Sequence, residues 1–448
     1  MKRLFQLSSF TLAVFLALSA PAVLAQTVTN VVDFNGANGA SPFIVTLAQG
    51  RDGKLYGTTY SGGANGLGAV VRINLSTGSS FVLHSFDGTN GSSPGAGLTL
   101  ATDGNYYGTT VYGGSANIGV LYKITAGGTY TVLHQFTGGS DGSYPYGPPI
   151  EARDGSLYGT TSGVPNSDAS TIYKLTRNGS YSVVYTFDQV TSGNSAYGLT
   201  QGSDGLLYAA PDIGGADGCG TIVKVTTLGV LKATHPFTCR NGGAQPVGIP
   251  AQASDGNYYG TTLVGGTGGG VLYRLTPGFG VSILHDFSGT DVKPQGTLVQ
   301  GTNSNLYGTS ESALYSWSLS GTYSTLYTFT VNPFNSGGLV QHTNGLFYGA
   351  AELGGAHSLG YIYSLNMGLG PFVTFVHAQG KIGATAQILG QGLTGTTSVT
   401  FNGIAASFAV VSDTYLTAVV PSGAATGPVV VTTPGGTLTS NKNFTVSP

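Results

Sequence analysis

Glutamate occurs only three times in this sequence, and two of the three stand in register. Glu311 and Glu352 each lie three residues after a small residue of a shared phrase (Gly308, Gly349), and Asp212 has the same offset after Ala209. Paired carboxylates can act as general acid and base across a substrate, or hold a cation. These three are the candidate catalytic residues, weighed against plain solvated loop acids. His84, His134, His235 and His285 share one phase of an outer strand, so they fall on different repeats and cannot converge on one metal ion. No HExxH, CxxC or EF-hand spacing is present, and no nucleotide, phosphate-loop or GxSxG signature either, so neither a metal nor a cofactor is expected.

Two cysteines, Cys219 and Cys239, sit symmetrically about Gly229. If the segment between them is a hairpin turning there, the thiols face each other, and an oxidising compartment pairs them; two buried free thiols are the alternative. That compartment is suggested by the first 25 residues. Lys2 and Arg3 precede the apolar stretch Phe10–Ala20, and Val23-Leu24-Ala25 offers a cut before Gln26, the layout of a secretory signal peptide.

These residues are positioned by a repeat. The phrase DGKLYGTT (Asp52–Thr59) recurs as DGNYYGTT (Asp103–Thr110 and Asp255–Thr262), DGSLYGTT (Asp154–Thr161), DGLLYAAP (Asp204–Pro211), NSNLYGTS (Asn303–Ser310) and NGLFYGAA (Asn344–Ala351). Its tyrosines, Tyr56, Tyr107, Tyr158, Tyr208, Tyr259, Tyr307 and Tyr348, are spaced by 51, 51, 50, 51, 48 and 41 residues. Each repeat reads as four short strands with glycine turns, the pattern of a β-propeller blade. The seventh repeat lacks its fourth strand, and Val31–Phe34 at the other end of the mature chain resembles it. The expected fold is all-β, a seven-bladed propeller over 26–369 closed by the N-terminal strand, with no free edge.

Within the phrase, Asp-Gly reads as a type I′ hairpin turn with φ > 0 at both central residues. Tyrosine is read as packing between blades, with sugar-binding platforms as the alternative. The tiny residue after it (Gly57, Gly108, Gly159, Ala209, Gly260, Gly308, Gly349) is read as a seat for a large side chain of the neighbouring blade. Five turn carboxylates, Asp52, Asp103, Asp154, Asp204 and Asp255, match five third-strand bases, Arg72, Lys123, Lys174, Lys224 and Arg274. In repeats six and seven both are lost, to Asn303 and Asn344 and to Ser318 and Ser364. A repeated structural ion pair is expected, against a merely solvated charged rim.

Residues 370–448 change texture. Gly390-Gln-Gly-Leu-Thr-Gly, Val399-Thr-Phe-Asn-Gly, Val411-Ser-Asp-Thr and Thr433-Pro-Gly-Gly mark short strands of a small antiparallel sandwich. The DGxLYGTT phrase, its Gly-Gly loop and its apolar-Tyr-Lys third strand resemble the bacterial GloVer (Gloeo/Verruco) tandem repeat, and the tail resembles an IPT/TIG immunoglobulin-like domain. The resemblance implies exported proteins with varied surface anchors; no sorting motif or hydrophobic tail precedes Val446-Ser447-Pro448 here.

Composition narrows the function. Glycine is 74 of 448 residues, only 8% are charged and the net charge is −2, which disfavours nucleic acid and anionic membrane as partners. No later segment is apolar for long enough to span a bilayer. The reading is an exported, monomeric, non-enzymatic binding protein, extracellular, cell-surface or periplasmic, that meets a glycan or a surface protein through propeller loops. The alternative is a propeller carbohydrate-active enzyme, a lyase or glycosidase, using Glu311, Glu352 and Asp212.

Overall fold

The computed structural model describes residues 26–43, 45–163, 170–239, 242–289, 291–330, 333–334 and 337–447. The leader expected over 1–25 lies outside them. Apart from one 3-10 turn at Gly139–Asp141, every regular element among the described residues is a strand.

The second repeat shows how the phrase becomes a sheet. Thr99–Leu100, Tyr106–Thr110, Val120–Ile124 and Tyr130–Gln135 form an antiparallel sheet in chain order. In its third strand Val120, Leu121, Tyr122 and Ile124 are all buried, so this strand is covered on both faces. Sheets of the same form are built on Tyr56, Tyr158, Tyr208 and Tyr307; in that of Tyr259 the first strand is split into Ala244–Pro246 and Ala251–Gln252, which both pair with Tyr258–Val264. In the sheet of Tyr348 the order is Thr27–Asp33, Tyr361–Asn366, Phe347–Ala351, Val340–Gln341, so an N-terminal strand completes the last repeat. A bulge interrupts the third-to-fourth strand pairing in each of the first six sheets, increasing the local twist.

Successive sheets are stitched by a side chain that the sequence reading passed over. Glutamine or glutamate ending a first strand accepts a backbone N–H from the preceding sheet. Thr102 donates to Glu151 and Arg153 to Gln201, Ser203 to Gln252 and Ser254 to Gln300, all at 2.8 Å. Thr302 donates to Gln341, and Thr343 of the last sheet to Gln49 of the first, both at 3.0 Å. At the first seam Leu100 holds the equivalent position, and Arg51 donates instead to the Thr102 carbonyl at 2.9 Å. His342 Nε2 adds a bond from the last sheet to the Gly53 carbonyl at 3.0 Å.

Residues from Thr374 onward form two four-stranded sheets facing each other over Val373, Ile388, Val399, Phe401, Leu416, Val429, Val431 and Phe444. This sandwich sits on the Asp-Gly turns. Gln387 accepts from Arg51 at 2.6 Å and donates to the Thr102 carbonyl at 2.7 Å, while Thr414 donates to the Arg51 carbonyl at 2.7 Å. Arg51 also lies 5.0 Å from the Tyr415 ring centre, and Gln391 reaches Thr343 at 3.0 Å. The sandwich therefore bridges the first, second and last sheets.

Candidate functional site

The turn rim is structural. Asp52 has no positive φ, whereas Gly53 has φ 71°, and Gly53 N–H donates to the Gly50 carbonyl while Gly50 N–H donates to Lys54. That is a three-residue loop, a type I turn closed by a glycine bulge, and not the expected type I′ turn. The pattern recurs at every copy, with Ser304 in the left-handed position at φ 67° in the sixth.

Each turn carboxylate or amide holds its own tyrosine. Tyr56, Tyr107, Tyr158, Tyr208 and Tyr259 donate their hydroxyls to Asp52, Asp103, Asp154, Asp204 and Asp255 at 2.7–3.1 Å. Where aspartate becomes asparagine the polarity reverses: the Asn303 and Asn344 amides donate to Tyr307 and Tyr348, both at 2.9 Å. The second carboxylate oxygen of each aspartate, and the amide oxygen of Asn303 and Asn344, accepts the N–H two residues on, which fixes the turn.

The repeated ion pair forms only in part. Asp154–Lys174 and Asp204–Lys224 are paired at 2.8 and 3.0 Å. Asp52 pairs instead with Lys54 at 3.1 Å; Arg72 lies over Phe81, and neither Asp103–Lys123 nor Asp255–Arg274 is within salt-bridge distance among the described residues. There the neutral amides of Asn105 and Asn257 donate to the same carboxylate oxygen that accepts the tyrosine hydroxyl. In the sixth sheet the residue opposite Tyr307 is Ser316, not Ser318.

The repeated tyrosines are packing residues. Tyr56, Tyr158, Tyr208 and Tyr307 are fully buried, and Tyr259 and Tyr348 nearly so; only Tyr107 is half-buried. The doubled tyrosine of DGNYYGTT divides its work: Tyr106 and Tyr258 stack on Tyr56 and Tyr208 of the preceding sheet, with centroids 4.1 Å apart in both cases. The tiny residue seats a ring from its own sheet, which corrects the expected neighbour. Gly108, Gly159, Gly260, Gly308 and Gly349 lie opposite Tyr122, Tyr173, Tyr273, Tyr315 and Tyr363, whose rings fill the space a Cβ would occupy. Opposite Ala209 stands the smaller Val223.

His84, His134 and His285 stack flat on Tyr130, Tyr181 and Tyr323 of the next sheet at 3.9, 3.6 and 3.8 Å. Cys219 and Cys239 form a disulfide across the mouth of the hairpin that turns at Gly229. Among the described residues no group of three or more His, Cys, Asp or Glu could hold a metal ion.

The opposite rim is different in kind. Tyr60, Tyr112, Tyr144 and Tyr146 occupy connections and Tyr197 a bulge within the strand Asn194–Gln201, spread over four successive sheets, and none is part of the shared phrase. Phe43 meets Tyr60 edge-on at 5.7 Å, Tyr112 meets Tyr144 at 5.7 Å, and Tyr146 meets Tyr197 at 5.4 Å. Burial raises Tyr60, with further upward pushes from Tyr112 and from Glu352 of the last sheet. Burial likewise lifts Tyr146 to about 12, helped by Tyr112, Tyr60 and Tyr144. Tyr197 is raised by burial and by Asp212, to which it donates at 3.4 Å. The rings thus form an arc with Glu352 at one end and Asp212 at the other. Tyr112 is the most open, 37% exposed.

The three candidate acids have separate surroundings. Asp212 lies on the strand Leu207–Ile213, not in a loop; burial raises it to about 6, and its Oδ1 is buried without a partner. Glu352 is raised by burial alone. Glu311 pairs with Lys293 at 3.2 Å.

A family model described as the Gloeobacter/Verrucomicrobia repeat matches residues 20–153 and 126–313. The chain belongs to this repeat family. An IPT/TIG domain model matches residues 371–446, the sandwich that covers the turn rim of these Gloeobacter/Verrucomicrobia repeats. No curated protein matches the sequence. Among solved structures, a streptogramin B lyase is similar with TM-score 0.56 at 18% identity, covering 78% of this chain and 99% of that one. A catalytically inactive virginiamycin B lyase from Staphylococcus aureus with quinupristin gives 0.55 at 14%, covering 76% and 99%. An oligogalacturonate lyase in complex with manganese gives 0.50 at 13%, covering 76% and 92%. At these identities the likeness to the Gloeobacter/Verrucomicrobia repeat chain is one of fold.

Proposed function

We propose that this is an exported, non-enzymatic binding protein whose tyrosine arc recognises a glycan. Its scaffold on this reading is a closed seven-bladed propeller over 26–369, with the sandwich at 370–448 as a spacer. The stitching of Thr343 to Gln49 supports closure, since it repeats between last and first sheets the bond that joins the others. The disulfide suits an oxidising compartment, and no helix among the described residues is long and apolar enough to cross a membrane.

The arc carries the functional reading. Partly exposed phenol rings offer flat apolar faces to sugar C–H groups and hydroxyls at their edges, and Asp212 and Glu352 add acceptors at each end. Rings unneeded by the repeat, gathered from several sheets on the rim the sandwich leaves free, suit a ligand better than they suit packing.

A lyase acting on an acidic polysaccharide is the second reading. It rests on Asp212, held near 6 beside the Tyr197 hydroxyl, an arrangement suited to proton transfer near neutral pH. Several solved lyases share the fold. Co-sedimentation with insoluble polysaccharides, with unsaturated and reducing-end products assayed in the same tubes, separates the readings. Retention without product supports binding; steady product formation abolished by Asp212→Asn supports the lyase.

A further inference from the structure

The sandwich lies across the turn-side end of the central channel, and together they line an open-sided cavity of about 660 Å³, here called the chamber. The side wall carries an aliphatic ring, Ala48, Leu100, Ile150, Ala251, Val299 and Val340 from six of the sheets, interleaved with polar side chains. The sandwich supplies the floor, including Phe375, His377, Asn441 and Lys442.

The amide and charged side chains of the side wall are already engaged. Gln201, Gln252, Gln300 and Gln341 each accept from the preceding sheet and donate to a carbonyl of their own turn. Glu151 is held by Thr102 and Arg177, and Arg153 donates to the carbonyls of Gly202 and Ser203. Burial lowers the pKa of His377, which favours its neutral form.

Lys442 is the exception. Its side chain is open to the chamber, yet among the described residues no hydrogen bond or ion pair reaches its ammonium group. Beside it the Asn441 Oδ1 is buried without a partner, and that amide can turn to present either its oxygen or its NH2. Although the residue is exposed to the chamber, desolvation by the surrounding protein lowers the lysine's pKa. A partly desolvated cation without a counter-charge is stabilised by an anion, and the aliphatic ring beside it by an apolar body. The volume lies within the range of small-molecule sites.

We propose that this chamber binds a small carboxylate with an apolar body, its acid group on Lys442 and Asn441 and its hydrocarbon against the aliphatic ring. The site is separate from the tyrosine arc and does not depend on it.

Isothermal titration of the whole mature chain with octanoate, octanol, octylammonium and acetate tests the assignment. Octanoate is expected to saturate at one per chain, about tenfold tighter than octanol or acetate, with no binding of octylammonium. Lys442→Met should weaken octanoate by about tenfold and leave octanol unchanged, while Leu100→Trp, which fills the chamber, weakens both. Unchanged melting temperatures verify that both variants fold. Absence of octanoate binding, equal binding of octanoate and octanol, or indifference to Lys442→Met overturns the proposal.

Discussion

Tyr208 donates its hydroxyl to Asp204 at 2.7 Å while Tyr258 of the next sheet covers its ring at 4.1 Å. One residue thus fixes the turn of its own sheet and the spacing to its neighbour. Lys224 completes the group, 3.0 Å from Asp204 and 5.3 Å from the Tyr208 ring centre.

Tyr208→Phe keeps the stacked ring and removes only the hydroxyl. Because Asp204 is partly solvated, the expected loss is about 1 kcal/mol, below the roughly 1.5–3 kcal/mol of a buried bond to a charged group. Asp204→Asn should cost less, since Asn303 and Asn344 hold their tyrosines by the reversed bond. Thermal midpoints of both variants check the order.

Ser304 holds a left-handed conformation at φ 67° where the other six turns have glycine. Ser304→Gly should stabilise the protein by roughly 1 kcal/mol, the steric cost of a side chain in that region. A lower or unchanged melting temperature would contradict the turn assignment.

Gly159 lies under the Tyr173 ring, and a methyl there meets it directly. Gly159→Ala should cost about 1–3 kcal/mol by overpacking. In the double variant Gly159→Ala with Tyr173→Val, which copies the Ala209–Val223 pair, the loss should be smaller than the sum of the singles. A double-mutant cycle by chemical denaturation reads the coupling.

Burial lowers His84, His235 and His285 below their ordinary 6.5, and lowers His134 despite the opposing pull of Asp141. These groups favour the neutral form when folded, so their stability contribution is complete above about pH 6.5 and falls as acid titrates them. A second loss follows below about pH 4. Burial pushes Asp103, Asp154, Asp204 and Asp255 upward, but their hydrogen bonds outweigh it and leave each below its ordinary value. Asp212 and Glu352, raised by burial, act in the opposite sense and soften the decline. Melting temperature against pH should therefore fall in two stages, and replacing His84, His134 and His285 with phenylalanine should flatten the first.

What the sequence made legible was whatever repeats. Seven copies of one phrase announce the four-stranded sheets, and Val31–Phe34 announces the strand that completes the last one. The roles inside the phrase were harder to read. An Asp-Gly pair fits both a two-residue turn and a three-residue bulged loop, and only the register of Gln49 with Leu55 distinguishes them. The acid–base coincidence at Asp52 and Arg72 suggested a pair, yet the nearer tyrosine hydroxyl and Lys54 take the carboxylate first. Gln49, Gln201, Gln252, Gln300 and Gln341 recur visibly in the sequence, but a strand-ending glutamine has no local role until the next sheet is beside it. The tyrosine arc was hidden for the opposite reason: Tyr60, Tyr112, Tyr146 and Tyr197 occupy unlike positions in their repeats, and only the folded chain brings them to one rim.

The most direct test is a glycan array probed with the native protein beside a Tyr112→Ala, Tyr146→Ala double variant of equal melting temperature. The account predicts saturable binding to a restricted set of glycans by the native protein and loss of that signal, by about tenfold or more, in the variant. Binding that survives both substitutions unchanged, or no glycan bound by the native protein, contradicts it.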